Sequence, residues 1–189
     1  MARGPVRGED GKLRCPWAVS APEYVAYHDE EWGRPLPSDD AMFERMSLEG
    51  FQSGLSWLII LRKRQSFRAA FAGFSIPAVA AYGPAEVETL LTDTGIVRNR
   101  AKIEATISNA AAVADLPGGL LAFVGEFAPR GRRRAPRTLE DLPAASPEST
   151  ALAKALKAHG VRFVGPTTGY ALMQATGLVN DHLMGCVAR

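Results

Sequence analysis

The sequence predicts an all-α protein with a metal site that joins its two ends, and three observations lead to this prediction. Apolar residues recur at helical spacing from Ser38 onward. The short apolar run at 161–164 could form a strand but has no evident partner. One cysteine and one histidine lie near the start of the 189 residues, and a second such pair lies near the end.

The first half of the chain contains two clear helix patterns. Ser38 is a good N-cap, because two aspartates follow it in what would be the first turn. Met42 and Met46 continue that helix, and Gly50 is expected to end it. A helix over about 54–63 is apolar nearly all round and is therefore expected at the centre of the fold. A short helix is predicted near 67–74.

From residue 85 onward, the sequence predicts five further helices and a long loop. Helices are expected at 85–92, stopping near Gly95, and at 98–114. Residues 115–145 are rich in Gly, Pro and Arg and are read as loop, broken by a short helix near 120–126. A serine followed by Pro147 starts the next helix, which ends near Gly160. A final helix is expected at about 167–176.

Composition predicts one globular domain. Hydrophobic residues make up 47% and charged residues 22% of the chain, as in soluble proteins. We expect a disordered basic arm at 1–14 and a single helical domain at 15–189. No apolar run approaches the roughly 20 residues of a membrane span, and the first residues lack the apolar core of a secretory signal. A cytoplasmic monomer without a membrane partner is therefore expected.

The four metal-ligating residues are Cys15, His28, His182 and Cys186. Two thiolates and two imidazoles form the ligand set of a closed, four-coordinate zinc site. A disulfide between the cysteines is the alternative, and its long loop could contribute about 5 kcal/mol. Cytoplasmic thiols stay reduced, and a structural zinc contributes roughly 10–16 kcal/mol and accounts for the histidines. The sequence favours structural zinc, with a disulfide or free thiols left as alternatives.

Glu49 is the most informative acidic residue. It follows Met42 by seven residues and Met46 by three, which places it on their apolar helical face. A carboxylate there is costly unless it is paired. Either it lies in the last turn and reaches solvent, or it faces a pocket and accepts hydrogen bonds from a ligand. Periodicity alone does not decide between these two interpretations.

Aromatic residues cluster around the proposed ligands at the start of the chain. Such a group can stack a base or hold a cation against its ring faces, while core packing is the alternative for any single tryptophan. Five residues form this group: Trp17, Tyr24, Tyr27, Trp32 and Trp57.

The net charge is only +2, but the basic residues are grouped at 62–64, 98–102 and 130–137. One basic face can bind nucleic acid, although each group alone is more often a solvated surface. The segment 90–102 resembles the helix-hairpin-helix DNA-binding motif, with Gly95 in the turn and Val97 where a second glycine is usual. Backbone amides there could hold a phosphate. The added positive charge comes from Arg98, Arg100 and Lys102.

Taken together, the motifs resemble the DNA-3-methyladenine glycosylase I family over about 14–186. The matching segments are RCPW at 14–17, YVAYHDEEWG at 24–33, LEGFQSGLSW at 48–57, FVG at 163–165, and GLVNDH at 177–182 with Cys186. The resemblance implies an all-α helix-hairpin-helix glycosylase fold with Zn2+ joining its ends. It implies a DNA repair enzyme that takes 3-methyladenine from alkylated double-stranded DNA and leaves an abasic site.

The resemblance also implies roles for individual residues. Glu49 matches the residue that hydrogen-bonds the exocyclic amine side of the base. Tyr27 and Trp57 match the residues that enclose the base, and Trp17 and Trp32 are expected in the same pocket. The positions that fill the gap in the duplex are matched by Gly54 and Leu55.

Two alternatives remain open at this point, and a third, a catalytic zinc, is disfavoured because four protein ligands leave no open position for water. The chain could be a non-catalytic, zinc-stabilised DNA-binding module, or an enzyme with broader alkylpurine specificity. Lys102 could suggest a lyase, but a lysine near a hairpin more often contacts phosphate, so no lyase activity is expected. Asp115 lies where a loop begins and is read as a surface residue.

Overall fold

A computed structural model of the chain describes residues 4–131 and 134–189, and within these residues the fold is mostly helical. A two-stranded antiparallel hairpin, β1 (Val6–Arg7) and β2 (Leu13–Arg14), precedes the helices. The helices are Pro22–Ala26 (α1), Asp39–Gln52 (α2), Trp57–Ala70 (α3), Ile76–Ala80 (α4), Pro84–Thr92 (α5), Arg100–Ala114 (α6), Gly119–Gly125 (α7), Pro147–Ala158 (α8) and Pro166–Ala175 (α9). The all-α prediction is confirmed.

The predicted helix starts at the two serine N-caps are also confirmed. The Ser38 hydroxyl accepts a hydrogen bond from the Ala41 N–H at 3.2 Å, and the Ser146 hydroxyl accepts one from the Ser149 N–H at 3.1 Å. Each bond satisfies a backbone donor that the helix itself leaves open.

The boundary between α2 and α3 differs from the prediction. Helix α2 continues through Gly50 to Gln52, and α3 begins at Trp57 rather than near Gly54. Gly54 has a φ of 81°, a left-handed conformation that interrupts the helix. Helix α3 then continues without interruption to Ala70, although it was predicted to end near residue 63. The prediction of a separate helix near 67–74 is therefore wrong for residues 67–70, which belong to α3.

The central helix is α2, not α3. Nine residues of α2 are buried, against only Ile60 and Phe67 of α3. Ile59 of α3 is 40% exposed. The prediction that α3 lies at the centre of the fold, made from its apolar residues, is therefore wrong. Helix α3 packs mainly on α2 and on the chain that follows α3. Helix α2 also packs against α4, α6, α7 and α9.

The start of the chain also differs from the predicted disordered arm. Residues 1–3 lie outside the described part, whereas residues 6–14 form the hairpin. Arg14 explains this order, because its buried guanidinium pairs with Asp10 and with Asp29, each at 2.7 Å. At the other end, 161–164 forms no strand, and the Asn109 amide bonds both backbone groups of Arg162. Within the Arg-rich segment 130–137, residues 132 and 133 are not described.

No single helix in the described ranges is long and apolar enough to cross a membrane. Helices α6 and α7 have sufficient length and apolar character only as a pair, and they meet at a bend of 87°.

Candidate functional site

One cavity of about 380 Å³ brings together residues from distant parts of the chain. We call it the aromatic cavity. Its volume lies within the range typical of small-molecule sites. All five residues predicted for a base pocket line it: Trp17, Tyr27, Trp32, Glu49 and Trp57. The remaining lining residues are Tyr24, Gln52, Leu142, Ala171 and Gln174.

A single π-helical turn, Tyr27–Glu31, directs two neighbouring side chains to different sites. Tyr27 lines the aromatic cavity, and the adjacent His28 joins the cysteines and the second histidine. π-Helical turns are rare and often occur at functional sites. No sequence pattern predicts this turn, because residues 27–31 are equally compatible with an ordinary α-helix.

Glu49 lies in the last turns of α2 and lines the cavity while being only 6% exposed. The interpretation that it reaches solvent is therefore wrong. No group in the described part of the chain donates a hydrogen bond to its carboxylate. Burial raises the pKa of Glu49 to about 7, and the nearby Arg45 cation opposes that rise. The carboxylate is thus desolvated and lines the cavity, with the Arg45 cation near it.

Arg45 is the site residue that sequence reasoning missed. Its side chain is buried, and Nη1 donates to the Tyr27 hydroxyl at 2.7 Å. The guanidinium carbon lies 5.2 Å from the Tyr27 ring centre and 5.3 Å from that of Trp57. Arg45 precedes Glu49 by one helical turn, so the available signal was the i, i+4 spacing of opposite charges. That spacing is also common on exposed helix surfaces.

The cavity rings contact one another edge-on or at a tilt. The Tyr27 and Trp57 ring centres are 5.6 Å apart, and Trp17 meets Trp32 edge-on at 5.1 Å. Burial raises the pKa of the Tyr27 phenol, so this group stays protonated and neutral. The Trp57 Nε1–H is buried and finds no hydrogen-bond partner among the residues described.

The four predicted metal ligands converge in one buried group, which we call the metal cluster. One ligand atom from each of Cys15, His28, His182 and Cys186 lies within 4.8 Å of the others. His28 Nε2 is 3.2 Å from His182 Nδ1 and 3.3 Å from the Cys186 sulfur. Both cysteines are free, so the disulfide alternative is wrong for this structure.

The outer contacts of the metal cluster fit a metal ion. His28 Nδ1 faces the Asp29 carboxylate at 2.8 Å, and His182 Nε2 faces the Trp32 carbonyl at 3.1 Å. These contacts leave the other ring nitrogen of each histidine directed at the Cys186 sulfur, at 3.3 Å for His28 and 3.6 Å for His182. Such second contacts orient histidine ligands in metal sites. The cluster could therefore hold a metal ion with all four side chains as ligands.

The metal cluster supports one wall of the aromatic cavity. Trp32 lies edge-on to His182 with ring centres 4.6 Å apart, and Trp17 lies edge-on to His28 at 5.1 Å. Both tryptophans are cavity residues. Fixing the two histidines thus fixes the rings beside them.

The residues predicted to contact DNA lie outside the cavity, in two segments. The loop 53–55, between α2 and α3, contains the exposed Gly54 and the half-buried Leu55. The turn 93–99 joins α5 to α6. Arg98 is exposed in this turn, and Arg100 pairs with Glu88 at 2.8 Å.

Two details of the turn differ from expectation. The Gly95 N–H is bonded by the Asp93 carboxylate at 2.7 Å, so this amide is not open to a phosphate. Glycine is required there because a Cβ would lie 2.8 Å from the Ser66 side chain of α3. The Lys102 ammonium donates to the carbonyls of Phe51 and Ser53 instead of standing free on the surface.

Comparison with known proteins gives a consistent result. The family model for methyladenine glycosylase matches residues 17–189. The chain is 44% identical to DNA-3-methyladenine glycosylase 1 of Escherichia coli strain K12 over 178 residues, covering 92% of this chain and 95% of that protein.

Solved structures agree with the sequence comparison. A crystal structure of a 3-methyladenine DNA glycosylase I aligns with a TM-score of 0.88 at 44% identity, covering 93% of this chain and 99% of the other. A variant of a 3-methyladenine DNA glycosylase I in complex with 3-methyladenine aligns with a TM-score of 0.87 at 30% identity, covering 93% and 96%.

Proposed function

This chain belongs to the methyladenine glycosylase family, and we propose that it hydrolyses the N-glycosidic bond of 3-methyladenine in alkylated duplex DNA. Its relatives are DNA repair glycosylases, and one structural neighbour was solved with 3-methyladenine bound. The observation that carries the proposal is Glu49, a buried carboxylate at an aromatic cavity that receives no hydrogen bond from residues 4–131 or 134–189.

The chemistry of the lesion suits this cavity. Methylation at N3 makes the base a cation, which ring faces and a carboxylate both stabilise. Ordinary adenine is neutral and gains less from either group. Tyr27 and Trp57 would enclose the base, and Glu49 would accept a hydrogen bond from its exocyclic amine side. Trp17 and Trp32 would complete the wall.

The base must first leave the duplex, which costs a few kcal/mol. The bond from C1′ of the sugar then breaks, and its electron pair goes to the base, which leaves as a neutral molecule. Water adds to C1′ and releases one proton, so an abasic site remains. Because the cationic base is already a good leaving group, Glu49 acts by recognition and electrostatic stabilisation rather than as a strong acid or base.

The contacts with the duplex would come from the two outer segments. Gly54 and Leu55 would fill the gap left by the base, and we call residues 53–55 the wedge loop. The turn 93–99 and the exposed Arg98 would face the phosphates. We propose no lyase step, since Lys102 donates to two backbone carbonyls and Asp115 is exposed.

We propose that the ion of the metal cluster is zinc with a structural role. The two sulfurs and two imidazoles are the residues that would hold it, and four protein ligands leave no position for a reacting water. When bound, the ion would supply a fixed link between Cys15–His28 and His182–Cys186. Trp17 and Trp32 would then be held in place beside the histidines.

The deciding experiment incubates the purified protein with N-methylated duplex DNA and identifies the released purines by chromatography, with metal analysis of the same sample. We expect free 3-methyladenine, little 7-methylguanine and about one zinc per chain. The same DNA without methylation is the control. Binding without release of any purine would favour a DNA-binding module, and 7-methylguanine at a comparable rate would favour a broad alkylpurine enzyme.

A further inference from the structure

Lys102 connects two segments that the proposed function uses separately. It lies in the first turn of α6, directly after the turn 93–99. Its Nζ donates to the Phe51 carbonyl at 2.8 Å and to the Ser53 carbonyl at 2.6 Å. These carbonyls lie at the end of α2 and at the first residue of the wedge loop. One side chain therefore joins residues about fifty positions apart.

The position of this cation is unfavourable for its own helix. The first turn of a helix carries a partial positive charge, which disfavours lysine there, and burial lowers the pKa of the Lys102 ammonium. The last carbonyls of α2 have no partners within that helix and favour a cation. Lys102 thus caps a different helix from the one that carries it. This contact lies in the part of α2 that continues past Gly50.

The carbonyls that Lys102 binds lie on either side of Gln52. The Gln52 carbonyl accepts from the Leu55 N–H at 2.7 Å, and the Gln52 amide donates to the Leu55 carbonyl at 2.7 Å. Gln52 also lines the aromatic cavity. Two hydrogen bonds between Gln52 and Leu55 therefore hold the two ends of the wedge loop together. The Lys102 ammonium bonds the carbonyls on either side of Gln52 and so connects this loop to α6.

The α6 end of the connection is held firmly. The Asn99 side chain caps α6 by accepting from the Lys102 N–H at 3.2 Å. On the opposite side of the turn, the Lys63 ammonium donates to the Thr94 carbonyl at 2.7 Å. The turn and the first residues of α6 thus form a fixed support for the Lys102 side chain.

We propose that Lys102 is a positioning residue that fixes the wedge loop relative to the turn 93–99, so that binding of the duplex backbone at the turn places Leu55 at the gap left by the base. This inference rests on the proposed function. It assigns Lys102 to the loop, rather than to a phosphate or to a covalent step, because two of its three N–H groups are bonded at the junction of α2 and that loop, one to Phe51 of α2 and one to Ser53 of the loop.

The test is a double-mutant cycle between Lys102 and Leu55. Lys102→Met keeps the apolar stem and removes the ammonium, and Leu55→Ala removes the wedge side chain. The measured quantity is kcat/KM for release of 3-methyladenine from methylated duplex. We expect each single variant to lose about 10- to 100-fold, and the double variant to lose no more than about 3-fold beyond Leu55→Ala, because residues acting as a unit are not additive.

The salt dependence separates a positioning role from a phosphate contact. Removing a phosphate contact reduces the slope of log affinity against log salt by about one. We expect Lys102→Met to leave this slope unchanged. The proposal is overturned if the losses of kcat/KM in the two single variants multiply in the double variant. It is also overturned if Lys102→Met reduces the slope of log affinity against log salt by about one.

Two further measurements keep the test independent of folding and of the proposed reaction. Lys154→Met removes the same charge from an exposed position on α8 and is expected to keep kcat/KM within about 2-fold. Thermal unfolding of Lys102→Met and of Lys102→Gln identifies any variant that fails to fold. The cycle is repeated on affinity for a duplex with a tetrahydrofuran abasic analogue. A wild-type protein that releases no purine contradicts the proposed function, whereas this binding cycle still decides the role of Lys102.

Discussion

The metal cluster and two polar groups of the aromatic cavity, the Glu49 carboxylate and the Trp57 N–H, are both buried. We call these two groups the cavity floor. The metal cluster and the cavity floor differ in whether protein groups form hydrogen bonds with them. In the metal cluster the outer nitrogens of His28 and His182 each have a protein partner, and the inner atoms face one another. At the cavity floor, no donor in the described chain reaches the Glu49 carboxylate, and the Trp57 N–H is also unpartnered.

The difference indicates which polar groups serve stability and which serve recognition. A buried polar group without a partner costs free energy, so a protein keeps one only where something else supplies the partner. On the proposed function, a bound ion would complete the metal cluster, and a ligand that enters the cavity would supply the missing partners of Glu49 and Trp57. The following predictions test this contrast.

The largest expected effect is on stability at the metal cluster. Cys186→Ser removes one of four ligands, so we expect loss of zinc and a fall in Tm of more than about 10 °C, since structural zinc contributes many kcal/mol. Calorimetry with metal analysis measures both. Val187→Ser changes an exposed neighbour and should keep metal and Tm. An unchanged Tm in a protein that binds no zinc would show that the cluster is not a metal site.

Glu49→Gln is expected to act on activity and stability in opposite directions. We expect release of 3-methyladenine to fall about 100-fold or more, because the anion is lost. The raised pKa means that the folded protein holds the Glu49 proton more tightly than the unfolded chain does. Stability is therefore lost as pH rises from about 4.5 to about 7, and the glutamine variant should be more stable by about 3 kcal/mol at pH 8.

The measurements for this variant are excision kinetics and urea unfolding at pH 8. Glu126→Gln, at an exposed position after α7, is the matched control and should leave both unchanged. Equal rates of excision by the wild type and by Glu49→Gln would show that Glu49 has no role in the reaction. A destabilised glutamine variant would mean that the protein already satisfies the carboxylate.

Asp29→Asn tests whether the outer contacts of the metal cluster matter. Asp29 faces His28 Nδ1 and also pairs with Arg14. We expect zinc affinity to fall about 10- to 100-fold, as is typical when such a partner is replaced. Competition with a chelator measures this. Asp10→Asn removes the other carboxylate from Arg14 but leaves the histidine contact, so its zinc affinity should be unchanged.

The smallest expected effect is a shift in the pH profile at the cavity floor. Excision should decline as the pH falls through about 7, because Glu49 takes up a proton. Arg45→Met removes the cation that opposes this, so we expect the midpoint to rise by about one pH unit. Arg68→Met, which removes an ion pair with Glu44 outside the cavity, is the control. A midpoint that stays in place would mean that Arg45 does not act on Glu49.

Local sequence signals predicted the helix starts well and the helix ends less well. Ser38 and Ser146 act on residues three positions away, so the pattern alone was sufficient. Gly50 was expected to end α2, but α2 continues to Gln52, and its last turn is bonded by Lys102, which is distant in sequence. When the capping side chain comes from another helix, the sequence around the capped helix end contains no signal for it.

The site was predictable where residue type alone restricts the chemistry. Two cysteines and two histidines have few common uses together, and the structure brings them together. Arg45 was not predicted at all, and the bonds of Lys102 to two backbone carbonyls were not predicted, because arginine and lysine are common on surfaces. Their roles depend on the direction of each side chain in the folded protein, which periodicity does not determine.

The connection between the metal cluster and the aromatic cavity has a consequence for synthesis on the ribosome. His182 follows His28 by 154 residues. Trp17 packs edge-on against the His28 ring, and Trp32 packs edge-on against the His182 ring. Because the ribosome makes the chain from its N-terminus, the first two ligands must wait until nearly all of the intervening helices have emerged. On the proposed function, the nascent chain would lack the cavity wall that Trp17 and Trp32 form, and activity on DNA would arise only late in translation.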